Sequence, residues 1–109
     1  MGTAVVFTRA ATGVSAPPVR VEVHAAGGLP AMRIVGLAET AVRESRDRVR
    51  SAVANSQFQF PAGRVTVNLA PADLPKEGAR FDLAIAVGLL AATGQLPAGA
   101  LADTEFLGE

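Results

Sequence analysis

Cysteine, tryptophan and tyrosine are absent from the sequence, and histidine and lysine occur once each, as His24 and Lys76. Without cysteine there is no disulfide, no thiolate zinc site and no thiol nucleophile, a usage that fits the cytoplasm. Five phenylalanines are the only aromatic residues, so the core must be built from Ala, Val, Leu and Ile. A net charge is missing as well: ten acidic residues balance ten basic ones. No global field therefore draws in nucleic acid or a membrane surface, and any basic surface must be local. No segment reaches the roughly 20 apolar residues of a bilayer span, and no basic stretch precedes an apolar run at the N-terminus. The composition points to a soluble, cytoplasmic chain with no membrane partner.

The 109 residues suit a single domain, residues 1–109, with one core. The most constraining stretch is RVTVNLAPADLPKEGARFDLAIAVGLLAATG, from Arg64 to Gly94. Its Val65–Leu69 part alternates as a strand, and Ala70–Gly78 is a turn-rich loop with two prolines. Ala79–Thr93 is a helix apolar on nearly every side, with Arg80 and Asp82 in its first turn and Gly94 as a left-handed stop. Such a helix must be buried. Its approach loop gathers Asp73, Lys76, Glu77, Arg80 and Asp82. A loop leading from a strand to a helix N-terminus presents unpaired N–H groups, so function is sought there first.

Upstream, Thr3–Ala10 reads as a strand with Val6 and Thr8 on one face and Val5 and Phe7 on the other. Val19, Val21 and Val23 alternate with Arg20, Glu22 and His24 in a second strand, and Met32–Val35 is a third ending at Gly36. The short turns between them predict an antiparallel meander. Ala38–Ser56 then changes period. Ala41, Val42, Ser45, Val49, Ala52 and Val53 mark the inner face of an amphipathic helix, and Glu39/Arg43, Arg43/Asp47 and Glu44/Arg48 form i, i+4 pairs. Leu96–Asp103 is a loop and Thr104–Gly108 begins a further strand, as though the domain were cut from a longer polypeptide. The order βββαβαβ, with helices on one face of the sheet, is a two-layer α+β architecture truncated at its C-terminus.

Several chemistries are not encoded. No Gly-x-x-x-x-Gly-Lys-Ser/Thr run and no Gly-x-Gly-x-x-Gly following a strand occurs, so neither Gly-rich loop for a nucleotide is present in these residues. His24 lies on the polar side of a strand with no Gly-x-Ser-x-Gly elbow to serve, and reads as a surface residue. Asp73, Glu77 and Asp82 have the chemistry for a hard cation, but their spacing matches no calcium loop and pairing with Lys76 and Arg80 is the simpler reading. The arginines Arg43, Arg46, Arg48 and Arg50 on the first helix allow two readings: a solvated face neutralised by Glu39, Glu44 and Asp47, or a contact with DNA or a neighbouring subunit.

Three segments, FTRAATGVSAPPVRVEVHAAGGLP, RIVGLAETAVRESRDRVRSAVANS and VTVNLAPADLPKEGARFDLAIAVGLLAATGQLP, carry a resemblance over almost the whole chain. They resemble the N-terminal domain of the ComM/YifB family, the magnesium-chelatase-like AAA+ ATPases. The resemblance implies a fold like the second domain of ribosomal protein S5 and the proteolytic domain of Lon. It also implies an AAA+ module in the same chain that uses ATP and magnesium, a homo-hexamer, and a part in DNA branch migration during natural transformation. For residues 1–109 themselves it implies no cofactor, no metal and no catalytic residue. Lon peptidases carry Pro-Lys-Asp-Gly-Pro-Ser-Ala-Gly ahead of the buried helix, with the Ser as nucleophile. The matching run here is Pro75, Lys76, Glu77, Gly78, Ala79, Arg80, Phe81 and Asp82, so Arg80 stands at the nucleophile's position. A guanidinium has no free lone pair to attack a carbonyl. A non-catalytic accessory domain is the expectation, with a Lon-like peptidase using another nucleophile, or an interaction module without DNA contact, as the rivals.

Overall fold

The computed structural model describes residues 2–109 as a four-stranded mixed sheet with two helices on one face. The elements are β1 (Gly2–Arg9), β2 (Pro18–Ala26), β3 (Ala31–Val35), α1 (Glu39–Asn55), β4 (Arg64–Ala70) and α2 (Asp82–Ala92), followed by a 3₁₀ turn at Ala98–Leu101. This is the two-layer α+β class that the element pattern predicts.

Period-two alternation sends one set of side chains from every strand inward: Val6 and Thr8 from β1, Val21 and Val23 from β2, Ile34 from β3, and Val67 and Leu69 from β4. α2 lies over β1 and β2, and α1 packs beside it toward β3. Ser45, Val49 and Val53 form the buried stripe of α1, one residue every four. In α2, Ile85 and Leu89 are fully buried, each contributing about 2 kcal/mol of transfer free energy. Gly88 lets this helix approach closely, since a Cβ there would sit 2.7 Å from Val23 Cγ2. Both helices stop as the turn chemistry dictates. Gln57 (φ 66°) and Gly94 (φ 78°) adopt the left-handed region, and the next N–H groups, of Phe58 and Gln95, reach back to the carbonyls of Val53 and Leu90.

The meander expectation is wrong. The strand order is β1-β2-β4-β3: β1 and β2 are antiparallel neighbours, but β4 enters between β2 and β3, antiparallel to the first and parallel to the second. The reason is the crossover. A helix between two strands returns the second one parallel to the first, so β3-α1-β4 is a βαβ unit. The central slot goes to β4, whose Val65, Val67 and Leu69 are wholly inaccessible, whereas Met32 and Ile34 on edge strand β3 retain a little exposure. Two further expectations need correction. α2 starts at Asp82, not Ala79, because residues 79–81 form a turn that leaves Arg80 ahead of the helix. The expected strand at Thr104–Gly108 is a single parallel bridge between Glu105 and Phe7, with Phe106 N–H donating to Phe7 O at 2.9 Å.

Thr8 is the exception in the core. It has no accessible surface, and its hydroxyl finds no partner among the described residues. An unsatisfied buried hydroxyl costs about 1–3 kcal/mol, and valine has nearly the same shape. Thr8→Val is expected to stabilise the chain by about 1 kcal/mol, read as a higher urea midpoint at unchanged m-value; a lower midpoint would show that the hydroxyl is satisfied.

Candidate functional site

The loop from β4 to α2 is positioned by a close packing at the end of β3. Gly36, at φ 106°, ends β3 so tightly against β4 that a Cβ would lie 2.5 Å from Leu69 O. The start of α1 therefore faces the loop across a cleft of about 520 Å³, bounded by Gly36, Leu37 and Ala38 on one side and by Asp73, Pro75 and Glu77 on the other. Among the described residues no side chain caps the N-terminus of α1.

The five charged loop residues do not form one network. Lys76 turns inward, 7% exposed, and its Nζ donates to Pro71 O at 2.7 Å and Leu74 O at 2.8 Å. Burial pushes its ammonium below the usual lysine range, an effect that the nearby charge of Asp73 offsets only in part. Asp82 also turns inward, 4% exposed, accepting from Ser45 Oγ at 2.7 Å and from the Arg48 guanidinium, whose Nη2 is 3.3 Å from Oδ1. The hydrogen bond to Asp82 holds the Arg48 guanidinium above its ordinary range, against a smaller opposing effect of burial. Asp73, Glu77 and Arg80 point to solvent. Among the described residues Lys76 and Arg80 make no salt bridge, so the expected local pairing with Asp73, Glu77 and Asp82 does not occur. Those three carboxylates do not converge on one point either.

The helix arginines are divided in the same way. Arg46 donates to Met32 O at 3.4 Å, Arg48 is bound to Asp82, the Arg50 guanidinium stacks 4.2 Å above the Phe60 ring, and Arg43 is exposed. None of the three expected i, i+4 pairs closes to a salt bridge among the described residues; Arg48 is drawn from Glu44 by a buried, better-fixed partner, and Arg43 stays in solvent. His24 lies exposed on the open face of the sheet. Ser45 is the participant that sequence reasoning misses. It falls on the buried stripe of the helix, and its signal is a hydroxyl at a core position, which demands a polar partner.

Residues 21–109 match the family model described as subunit ChlI of Mg-chelatase. The chain belongs to this ChlI-type Mg-chelatase family. Over its full length it is 61% identical to the uncharacterised protein YifB of Salmonella typhimurium and 58% identical to the competence protein ComM of Haemophilus influenzae, covering 22% and 21% of those proteins. It is 42% identical over 103 residues to an uncharacterised protein of Mycobacterium tuberculosis, covering 94% of this chain and 20% of that one. These similarities put it on the ComM/YifB branch of the ChlI-type family, and the chain spans about a fifth of the length of these relatives. Among the described residues no helix is long and apolar enough to cross a membrane.

In this ChlI-type chain Asp82 is a buried carboxylate held by two partners on α1, so its removal is expected to cost stability. Asp82→Asn leaves Arg48 facing a neutral amide and weakens the bond from Ser45. Because Arg48 is 40% exposed, water recovers part of the loss, and the expected cost is about 2 kcal/mol in chemical denaturation. A loss no larger than that of Asp73→Asn would refute the anchoring role. Lys76 gives a pH signature. The folded state holds its proton less tightly than the unfolded chain does, so the unfolded chain binds more protons just below the ordinary lysine value of about 10.4. Stability is therefore expected to rise as pH climbs through that window. No tyrosine, cysteine or second lysine titrates there to obscure it, and Lys76→Met should abolish the slope.

Proposed function

We propose that this domain is a non-catalytic accessory module of a ComM/YifB-type ATPase, which engages DNA or arranges subunits while another part of the protein uses ATP and magnesium. The parent assembly on this reading is a homo-hexamer acting in branch migration of incoming DNA during natural transformation, in the cytoplasm. The observation that carries the non-catalytic reading is the chemistry of the loop ahead of α2. Arg80 is exposed where the Lon-like pattern needs a nucleophile. Neither of the other polar groups nearby supplies the missing parts. Lys76 is bound by two backbone carbonyls, and Ser45 is 3% exposed with its hydroxyl on Asp82 rather than on a lysine or histidine. A serine is a nucleophile when a base takes its proton in a site open to substrate, whereas Ser45 is closed to substrate and its one partner is a carboxylate already engaged by Arg48. Kinship with the ChlI-type family and with ComM supports the ATPase context.

The purified chain is expected to release nothing above background from casein or a fluorogenic peptide, and Arg80→Ser is expected to leave that background unchanged, because no base adjoins the new hydroxyl. Turnover that persists through successive purification steps and disappears in Ser45→Ala would overturn the reading in favour of a peptidase.

A further inference from the structure

The helices cover one face of the sheet and leave the other open. The open face is made by the side chains that alternate with the core. Register aligns Thr3, His24, Thr66 and Arg33 in one row across all four strands, and Val5, Glu22, Asn68 and Val35 in the next. On the other side of the first row, Arg64 of β4 pairs with Ala26 and Ala31. Two shallow depressions run over this surface, one of about 310 Å³ above β1, β2 and β4, and one of about 360 Å³ bounded by Ala31, Arg33, Arg64 and Thr66.

Its charge is unlike that of the whole chain, which is neutral. The outward positions of the four strands hold Arg9, Arg20, Arg33 and Arg64 and a single carboxylate, Glu22, and Arg9 is taken by Glu105 from outside the strands. Arg20 takes Glu22 at 2.7 Å. Arg33 and Arg64 then stand with no carboxylate of the described residues within 4.0 Å, on neighbouring strands and two residues apart in register. Hydroxyl and amide groups from Thr66, Asn68 and Thr3 lie beside them. Arginines with Thr and Asn side chains are the donor set that contacts phosphate oxygens.

We propose that this open sheet face, through Arg33 and Arg64 with Thr66 and His24 beside them, binds the phosphodiester backbone of single-stranded nucleic acid. An acidic polypeptide is the competing occupant, and the composition of the face disfavours it. The central strands β2 and β4 show no apolar side chain larger than alanine there except Pro18 at the very start of β2, and the other apolar groups lie at the edges, Val5 and the half-buried Phe7 on β1 and Val35 on β3. Protein interfaces gain their affinity from a central apolar or aromatic anchor, which is missing here. A duplex groove calls for a projecting helix or ribbon, and both helices are on the far side of the sheet. With a single, half-buried aromatic ring on this face, Phe7 at the β1 edge, attraction is mainly electrostatic, indifferent to sequence and steeply dependent on salt. The inference rests on the DNA-engagement part of the reading above and names its surface.

The test is fluorescence anisotropy of a labelled oligothymidylate titrated with the 109-residue chain at low and rising salt. The double variant Arg33→Ala/Arg64→Ala is compared with wild type, the far-UV circular dichroism and melting of both being checked first. Both residues point outward, so the fold is expected to persist. Removing two phosphate contacts should reduce the slope of log affinity against log salt by about 1.4 and weaken low-salt binding about tenfold. Arg33→Lys/Arg64→Lys, which keeps the charge, should restore most of the slope. Wild-type affinity and slope in the alanine pair, with weakening by Arg43→Ala/Arg46→Ala instead, would overturn the sheet assignment while leaving DNA engagement to α1. Equal binding of polyglutamate would assign the face to an acidic polypeptide, and tighter binding of duplex DNA would overturn the single-strand preference. No binding of any oligonucleotide by the wild-type chain would remove the inference together with the DNA role, while leaving the peptidase result untouched.

Discussion

A carboxylate withheld from water at the first residue of α2 fixes the two helices against each other on the sheet. An isolated carboxylate in that position would be expelled or protonated, and Asp82 stays because α1 supplies both a hydroxyl from Ser45 and a guanidinium from Arg48. The three side chains set how far α2 can slide along α1. They also hold the preceding turn, so the direction in which Arg80 emerges depends on a contact between helices. Apolar packing alone would hold α2 less specifically, since the helix has no polar residue after Asp82 and nearly all its faces suit burial.

The same end of α2 is fastened a second time by the last residues of the chain. Gly108 O accepts from Leu83 N–H at 2.9 Å, Gly108 N–H donates to Arg80 O at 3.0 Å, and Phe106 N–H reaches Phe7 O. Arg9 and Glu105 close the outside of this contact, each hydrogen-bonded to the other so that the arginine is held above and the glutamate below its usual range. Backbone donors at the start of a helix have no intrahelical partner, and here a carbonyl from a distant segment takes one of them. The loop between β4 and α2 is thereby restrained from both flanks, while its Asp73–Glu77 portion is held from within by Lys76.

Most of the local structure was legible in the sequence because local rules decide it. The alternation in VRVEV and RVTVNL, the four-residue spacing of Ser45, Val49 and Val53, and glycine at position 94 each carry their own period or turn signal. Neighbour relations were not legible. Nothing within RVTVNL says that it displaces β3 from β2; that follows from the helix before it and from competition for the most buried slot. The candidate site was half legible. The loop was marked by its charges, but which of them turn inward depends on carbonyls and hydroxyls that tertiary contact brings into reach. Arg33 and Arg64 escaped attention since each reads locally as an ordinary outward residue of a strand, and only the placement of β4 beside β3 makes them neighbours.

The late arrival of β4 also shapes how the chain can assemble during synthesis. When the ribosome has released the chain only as far as Asn55, the hairpin of β1 and β2 has an unclaimed edge, β3 has no strand beside it, and the valines of β2 lie bare. β4 closes the first two exposures at once, and α2, which follows it, covers the valines. Nascent chains stalled before Ala70 thus present sticky ladders to one another, a hazard inherent in placing the middle strand of a sheet after its flanks.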